Sequence, residues 1–211
     1  MSSSISALKS CNVAVIGAGP GGLVAARELR REGHKAVVFE RQAQVGGTWE
    51  YQPSVEADPL ASDPSRTIVH SSLYPSLRTN LPREVMGFRD YPFLSPGGTV
   101  EVVYTGLGAD GKWRLRSRRG NDEEVDEIFD AVVVCNGHHT EPRIAEIHGI
   151  DAWPGKQMHS HNYRIPEPFR DQVVILIGNA FSADDISRDI AQVAKEVHVA
   201  SRSVDDSILG K

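Results

Sequence analysis

Gly17-Ala18-Gly19-Pro20-Gly21-Gly22 follows directly on the apolar run Asn12 to Ile16 (N-V-A-V-I) and leads into Leu23 to Arg31 (L-V-A-A-R-E-L-R-R). The apolar run has the character of a buried parallel strand. Leu23, Ala26 and Leu29 recur at helical spacing, the last turn is basic, and Gly33 stands just beyond it as a stop. Ala36 to Glu40 (A-V-V-F-E) reads as a second strand, so the stretch is predicted to be one β-α-β unit of roughly thirty residues. The hexapeptide fits G-x-G-x-x-G. Gly17 permits the tight turn from strand to helix, Gly19 lets the backbone approach a diphosphate, and Gly22 lets the helix lie against the strand. The start of the helix offers free N–H groups and a partial positive charge to phosphate oxygens.

Glu40 closes the second strand about 23 residues after Gly17. A carboxylate there accepts hydrogen bonds from both ribose hydroxyls of an adenosine and repels a 2′-phosphate, so this site favours FAD or NAD over NADP. A second glycine pair follows soon after, in Gly46-Gly47-Thr48-Trp49. Such a pair lets a further loop run along the diphosphate, which tilts the expectation from NAD to FAD. A glycine-rich turn in a purely structural β-α-β is the plainer alternative.

The same module recurs near the other end of the sequence. Gln172 to Ile177 (Q-V-V-I-L-I) reads as a strand, Gly178 to Ala183 as a turn, Asp184 to Ala194 as a helix, and Glu196 to Ser201 as a strand. Here only Gly178 of the fingerprint is present; Ala183 can stand for the last glycine, but Ala180 occupies the middle place. No acid closes the second strand. Ser201-Arg202 lies there instead, and an arginine with a hydroxyl suits a 2′-phosphate, so this second site is expected to take NADPH, with Gly178, Ser182 and Arg202 in contact with it. A degenerate structural unit is the alternative.

Between the two modules, Gln52 to Arg66 reads as a loop rich in Pro, Ser and Asp. Thr99 to Thr105, Lys112 to Ser117 and Val125 to Phe129 read as strands, with a hairpin signal at Ala109-Asp110-Gly111. Ala131 to Cys135 is a further buried-type strand ending at Asn136-Gly137. The 211 residues are 40% hydrophobic and 24% charged with a formal net charge of −5, an ordinary globular balance without a basic footprint for nucleic acid. Cys11 and Cys135 form no C-x-x-C pair and are expected to be buried small hydrophobes, which argues against a disulfide reductase. His159 and His161 have no partner at ligand spacing, so no metal is expected. Met1 to Ser10 does not read as a secretory signal, and no stretch approaches the ~20 apolar residues of a membrane span, so a cytoplasmic location is expected.

These stretches together resemble the flavin-containing monooxygenases, class B flavoprotein monooxygenases. The resemblance rests on Gly17 to Gly22 with Glu40, on Gly46-Gly47-Thr48-Trp49, on Trp153 to Arg164 against the family's F-x-G-x-x-x-H-x-x-x-Y/F linker signature, with Trp153 in place of Phe, and on Gly178 to Asp185. Ile68 to Tyr74, Ser76 to Met86 and Val133 to His138 are similar to the plant S-oxygenating branch, which oxidises thioethers including methylthioalkyl glucosinolates. The resemblance implies an α/β fold: an FAD-binding Rossmann-like (β-β-α, three-layer) domain over residues 1–165, and the first β-α-β of an NADP-binding Rossmann-like domain over 166–211. It implies FAD and NADPH as cofactors, with Gly17, Gly19, Gly22, Glu40, Gly47, Thr48, Trp49 and Gly137 at the flavin. Asn80, in Arg78-Thr79-Asn80, matches the asparagine that the family places beside the flavin; a loop-capping role is its alternative.

The implied chemistry is reduction of FAD by NADPH, capture of O₂ as a flavin C4a-hydroperoxide, and transfer of one oxygen atom to a thioether sulfur or amine nitrogen. The cofactor carries such chemistry and the protein positions it. Against the family pattern the chain is expected to lack an internal segment near 95–99 and to stop after one β-α-β of the second domain. A non-catalytic flavoprotein remnant or interaction isoform is therefore the competing expectation.

Overall fold

The computed structural model describes residues 9–81, 100–119 and 123–202. Over these residues the chain divides into two compact units, Met1–Glu50 with Phe93–Glu141 and Tyr51–Pro92 with Pro142–Lys211.

In the first unit, β1 (Asn12–Ile16), α1 (Pro20–Arg31) and β2 (Lys35–Phe39) form the expected β-α-β, and β6 (Ala131–Val134) joins it. The three strands are parallel in the order β2-β1-β6, with Ala14 opposite both Val37 and Val132. Side chains alternate across a strand. Ala14 and Ile16 therefore share one face of β1, where they pack with Phe39, Val132, Leu115 and Phe129; Val13 and Val15, also buried, share the other. Leu115 and Phe129 come from an antiparallel meander of β3 (Val100–Leu107), β4 (Trp113–Arg119) and β5 (Glu124–Phe129). Phe129 meets Phe39 edge to face at 5.9 Å, an arrangement that aromatic quadrupoles favour. The hairpin signal is realised as a tight turn: Gly108 N donates to Lys112 O at 2.7 Å and Gly111 takes φ +72°. Asp130 ties meander to sheet. Its carboxylate accepts from Asn12 N at 2.7 Å and pairs with Lys112 Nζ.

In the second unit, β7 (Val173–Ile177), α2 (Phe181–Ile190) and β8 (Glu196–Ala200) form another β-α-β, with β7 and β8 parallel from Val173↔Glu196 to Ile177↔Ala200. One face of this pair is packed: Val174, Leu176 and Val197 lie against a cluster of Tyr74, Tyr163, Ile186 and Ile190. The alternate residues Val173, Ile175, Ile177 and Val199 are 46–55% exposed. Parallel strands are ordinarily covered on both faces, and here one face is open.

The remainder of this unit is irregular chain, and buried polar groups hold it. Arg164 is 6% exposed, and its guanidinium has five N–H donors. Nε donates to Gln52 O, Nη1 to the carbonyls of His161 and Tyr163, and Nη2 to those of Ser54 and Ser71, all within 2.8–3.1 Å. Every donor is used, and the strand-less backbone of 51–71 finds the partners that a sheet would have provided. Glu56 adds a second anchor. Its buried carboxylate accepts from Arg66 Nε at 2.7 Å and Val69 N at 3.1 Å, while Asn162 Oδ1 accepts from Glu56 N at 3.0 Å. Burial by itself would raise the Glu56 carboxyl; the Arg66 hydrogen bond, the Val69 N–H and the charge of Arg66 outweigh it and hold the group below its ordinary value. Asp58 is held down at about 2 by the amides of Asp63 and Leu60.

Several sequence expectations shift. Both helices begin three residues earlier than expected, at Pro20 and Phe181, and α2 ends at Ile190 rather than Ala194. Pro20 fills the first helical position, where its missing N–H costs nothing. Cys11 and Cys135 are free but only half-buried, a correction to the expected burial, because each lies just outside a strand end. The two units also differ from the linear division at 165/166: residues 51–81 and the linker signature cluster with β7-α2-β8, through Arg164, Asn162, Tyr74 and Tyr163. The segment near 95–99 and the tail beyond Arg202 lie outside the described residues.

Two outcomes are expected from the polar anchors. Glu56 and Asp58 titrate below the ordinary carboxylate value of about 4, so the stability they lend is full above that pH and is lost as pH falls toward 2. Amide exchange across 51–71 should therefore accelerate in that window, and in Glu56→Gln it should already be fast at neutral pH. Arg164→Ala, which orphans five carbonyls, should lower unfolding free energy by roughly 3 kcal/mol in a urea titration, and Arg164→Lys should not restore it, since an ammonium has three donors.

Candidate cofactor sites

The first glycine loop brings backbone onto backbone. A Cβ placed on Gly17 would lie 2.3 Å from Cys135 O, and one on Gly22 would lie 1.8 Å from Gly17 O. Gly17 also takes φ +99°, a conformation that suits glycine alone, and its N–H donates to Phe39 O at 2.7 Å. The two outer glycines of the fingerprint thus let the start of α1 and the end of β6 meet the turn. Gly19 has a different role. Nothing crowds it except Gly47, whose Cα would lie 3.7 Å from an added Cβ; a Cβ on Gly47 would stand 3.1 Å from Gly19 Cα. Gly46 N donates to Ala18 O at 3.0 Å. The two glycine stretches, 24 or more residues apart in sequence, are therefore neighbours, and the second begins a 3-10 turn, Gly47–Trp49.

Glu40 lies directly after β2 as expected. Its carboxylate already serves the loop: Oε2 accepts from Ala18 N at 2.6 Å and Oε1 from Gln42 N at 2.9 Å. A carboxylate offers about four acceptor positions, so two remain for hydroxyl donors. The first turn of α1 itself carries no acidic residue, which favours an anion at its free N–H groups. Gln42 Oε1 and Glu50 Oε2, both buried beside this loop, make no protein hydrogen bond. A narrow glycine cradle, a helix start with no acidic residue in its first turn, spare carboxylate lone pairs and buried acceptors without donors fit a dinucleotide. Trp49 is 45% exposed, Thr48 is exposed, and Gly137, just past β6, takes φ +80° with open space around it.

The second loop is looser. Gly178 takes φ +114° and donates its N–H to Ala200 O at 2.8 Å, which joins the carboxyl ends of β7 and β8. Ser182 lies in the first turn of α2, and Arg202, exposed, lies two residues past β8. The topology thus gathers Gly178, Ser182 and Arg202 at one end of the strand pair. Phe181, 74% exposed, stands at the first position of the helix, and Asp184 puts a negative charge in the first turn; Arg188 Nη2, 2.9 Å from its Oδ1, offsets that charge. These residues fit a phosphate-bearing nucleotide with a less crowded turn than the first loop. Asn80 is exposed near the end of the described stretch 9–81, within the second unit.

Sequence reasoning missed the contributions of Ala18, Cys135 and Gln42. Each acts through its backbone amide or carbonyl, and residue type carries no signal for that. Among the described residues no helix is long and apolar enough to cross a membrane.

Comparison with known proteins bears on the same residues. The profile of the flavin-binding monooxygenase-like family matches residues 103–209, and that of an NAD(P)-binding Rossmann-like domain matches 15–78, across the first glycine loop. The flavin-containing monooxygenase FMO GS-OX-like 4 of Arabidopsis thaliana is 57% identical over 242 residues, covering 96% of this chain and 54% of that protein. FMO GS-OX5 of the same plant is 55% identical over 230 residues, covering 93% of this chain and 50% of that protein. Among solved structures, S-allyl-L-cysteine S-oxygenase from Allium sativum superposes with a TM-score of 0.87 at 53% identity, over 96% of this chain and 54% of that one. Tmm from Pelagibacter sp. strain HTCC7211 gives 0.74 at 30% identity, over 95% and 53%. The chain spans about half the length of the curated relatives it matches. The 242 aligned positions outnumber the 211 residues of the chain, so the relative carries residues inside the matched region that this chain does not have. The cofactor classes that the motifs call for, a flavin and a nicotinamide dinucleotide, are those of the matching families, and the expected α/β architecture is the one observed. With its plant S-oxygenating relatives, the chain belongs to the flavin-binding monooxygenase-like family.

Proposed function

We propose that this chain carries the FAD site and part of the NADPH site of a monooxygenase that places one atom of O₂ on a soft nucleophile, a thioether sulfur in preference to an amine nitrogen. The contact of Gly19 with Gly47 carries this reading. Two loops that approach through bare Cα atoms at the start of a helix would leave its free backbone N–H groups open to a diphosphate. Glu40 would hold the adenosine ribose with its spare lone pairs. Gly137 would allow the chain past β6 to run close to the bound group, with Thr48 and Trp49 along its other side.

At the second loop, Gly178 and the first-turn amides of Phe181 and Ser182 would take the NADPH diphosphate, and Arg202 its 2′-phosphate. In this reading the functional division follows the cofactors, 1–165 for FAD and 166–211 for NADPH, across the compact units. Once reduced, the flavin supplies the activation of O₂. The protein's part is to bind, to exclude water and, through the Asn80 amide, to donate a hydrogen bond at the reacting end. The thioether preference follows the activity of the Allium sativum relative, an S-oxygenase. A location in the cytoplasm accords with this reading.

The open face of Val173, Ile175, Ile177 and Val199 favours a second reading. In it the chain is a non-catalytic flavoprotein module, or an interaction isoform that works with further polypeptide.

Purified chain incubated with excess FAD and passed through gel filtration should retain flavin absorbance and, with NADPH and a thioether, form sulfoxide. Retained flavin without sulfoxide would favour the second reading, and no flavin at all would remove the oxygenase and leave only the interaction isoform. Gly19→Trp should abolish flavin retention, because the indole would fill the place proposed for the diphosphate, while Gly19→Ala should leave the melting temperature nearly unchanged, because an added Cβ meets Gly47 Cα at an ordinary 3.7 Å. Gly22→Ala should instead cost stability by about 1–3 kcal/mol, because its Cβ meets Gly17 O. Arg202→Ala should erode the preference for NADPH over NADH; an unchanged ratio of kcat/KM would take Arg202 out of the site.

A further inference from the structure

Two hydroxyls of the segment ahead of Asn80, and a third from Tyr163, bond to one flank of α2. Tyr74 Oη donates to Asp185 Oδ2 at 2.5 Å, Ser76 Oγ donates to Asp189 Oδ2 at 2.6 Å, and Tyr163 Oη donates to that same Asp189 oxygen. Asp185 and Asp189 are four residues apart and so stand one turn apart on the same side of the helix. Beneath them Tyr74 and Tyr163 meet edge to face at 5.1 Å within the buried cluster that holds Ile186 and Ile190, with Leu77 packed against it. Leu77 N donates to Tyr74 O at 3.0 Å and closes the turn, and Asn80 follows three residues on.

The apolar cluster alone would attach this segment to the helix, yet it would tolerate sliding. The carboxylates do not. Asp189 accepts from two separate stretches of chain at a single oxygen, and a shift of the helix along its axis breaks that bond pair and the Tyr74–Asp185 bond together. Burial first, and the facing carboxylates next, raise both phenols above their ordinary value, so they remain donors through the neutral and alkaline range. Asp184 has no part in this; it pairs within the helix to Arg188. The amino end of the same rigid helix carries the Phe181 and Ser182 amides that the proposed function assigns to the nucleotide diphosphate.

We propose that Asp185 and Asp189 are positioning residues that couple nicotinamide nucleotide binding at the start of α2 to the placement of Asn80. The proposal rests on the nucleotide reading of α2 given above. A nucleotide that pins the helix start also pins, through the two carboxylates, the register of residues 74–80. Binding is reciprocal, so loss of the link weakens the nucleotide as well.

The test uses the full chain with NADP⁺, calorimetry for binding, and amide hydrogen exchange for the peptide 74–81. In the unaltered chain NADP⁺ should slow exchange across 74–81 by about fivefold or more. Asp189→Ala should abolish that slowing and weaken NADP⁺ by a similar factor, whereas Ser187→Ala, which removes only an exposed hydroxyl bonded within the helix to the Asp184 carbonyl, should do neither. Ser76→Ala removes one exposed hydroxyl and should reduce the slowing even where Asp189→Ala fails to fold. Slowing that is undiminished in Ser76→Ala and Asp189→Ala, or NADP⁺ binding that leaves 74–81 unprotected in the unaltered chain, overturns the coupling and spares the nucleotide site. Absence of NADP⁺ binding in the unaltered chain overturns the nucleotide reading, and the coupling with it.

Discussion

A Cβ on Gly22 would stand 1.8 Å from the Gly17 carbonyl oxygen, and one on Gly17 would stand 2.3 Å from that of Cys135. Close approach of three backbone segments, possible only without side chains, is the constraint on which the first unit depends. It sets α1 against β1 and brings the end of β6 beside the turn. Gly46 and Gly47 approach the same turn by the same means, bare backbone against bare backbone. Glu40 then serves two ends with one carboxylate. It holds the Ala18 and Gln42 amides in place and keeps lone pairs for a ligand, so the residue that would recognise the sugar is also one that shapes the loop.

The second unit solves a different problem. Its long irregular stretch has few backbone partners of its own, and unpaired buried amides and carbonyls are costly. Arg164 answers this with a fully used guanidinium, and Glu56 with a carboxylate shared between Arg66 and the Val69 amide. His161 adds to the same interior: its Nδ1 lies 2.6 Å from Ser72 Oγ, and its Nε2 faces Glu56 at 3.4 Å. His161 of the linker signature thus holds chain to chain, while the His159 ring accepts from the His161 N–H within the signature itself. Trp153 shows the same economy of space, since its indole fills the volume that a side chain on Gly155 would need.

Much of the architecture was legible in residue order. Strand positions agree with the apolar runs to within one or two residues, because a buried parallel strand must be apolar on both faces and a half-buried one must alternate. Helix starts were less legible. Pro20, Gly21 and Gly22 read as loop by propensity, yet they form the first turn of α1, where a missing N–H and a missing Cβ are both useful. Phe181 to Ala183 misled in the same way at α2. Among the candidate site residues, the glycines and Glu40 could be proposed from spacing, since the fingerprint places them within one β-α-β unit. Ala18, Gln42 and Cys135 could not, because what they contribute is main-chain geometry.

The order of residues alone determined that two β-α-β modules exist, that the first has the tighter glycine turn, and that an acid closes one module and an arginine the other. These are local matters, decided by periodicity, backbone freedom and charge within some thirty residues. Only the tertiary structure decided that Gly19 and Gly47 are neighbours, that the chain from Tyr51 to Leu81 belongs with β7-α2-β8, and that two aspartates on α2 hold Tyr74, Ser76 and Tyr163. Those facts depend on which distant groups are left without partners once each local element has formed, and satisfying buried hydrogen-bonding groups is a condition on the whole chain at once.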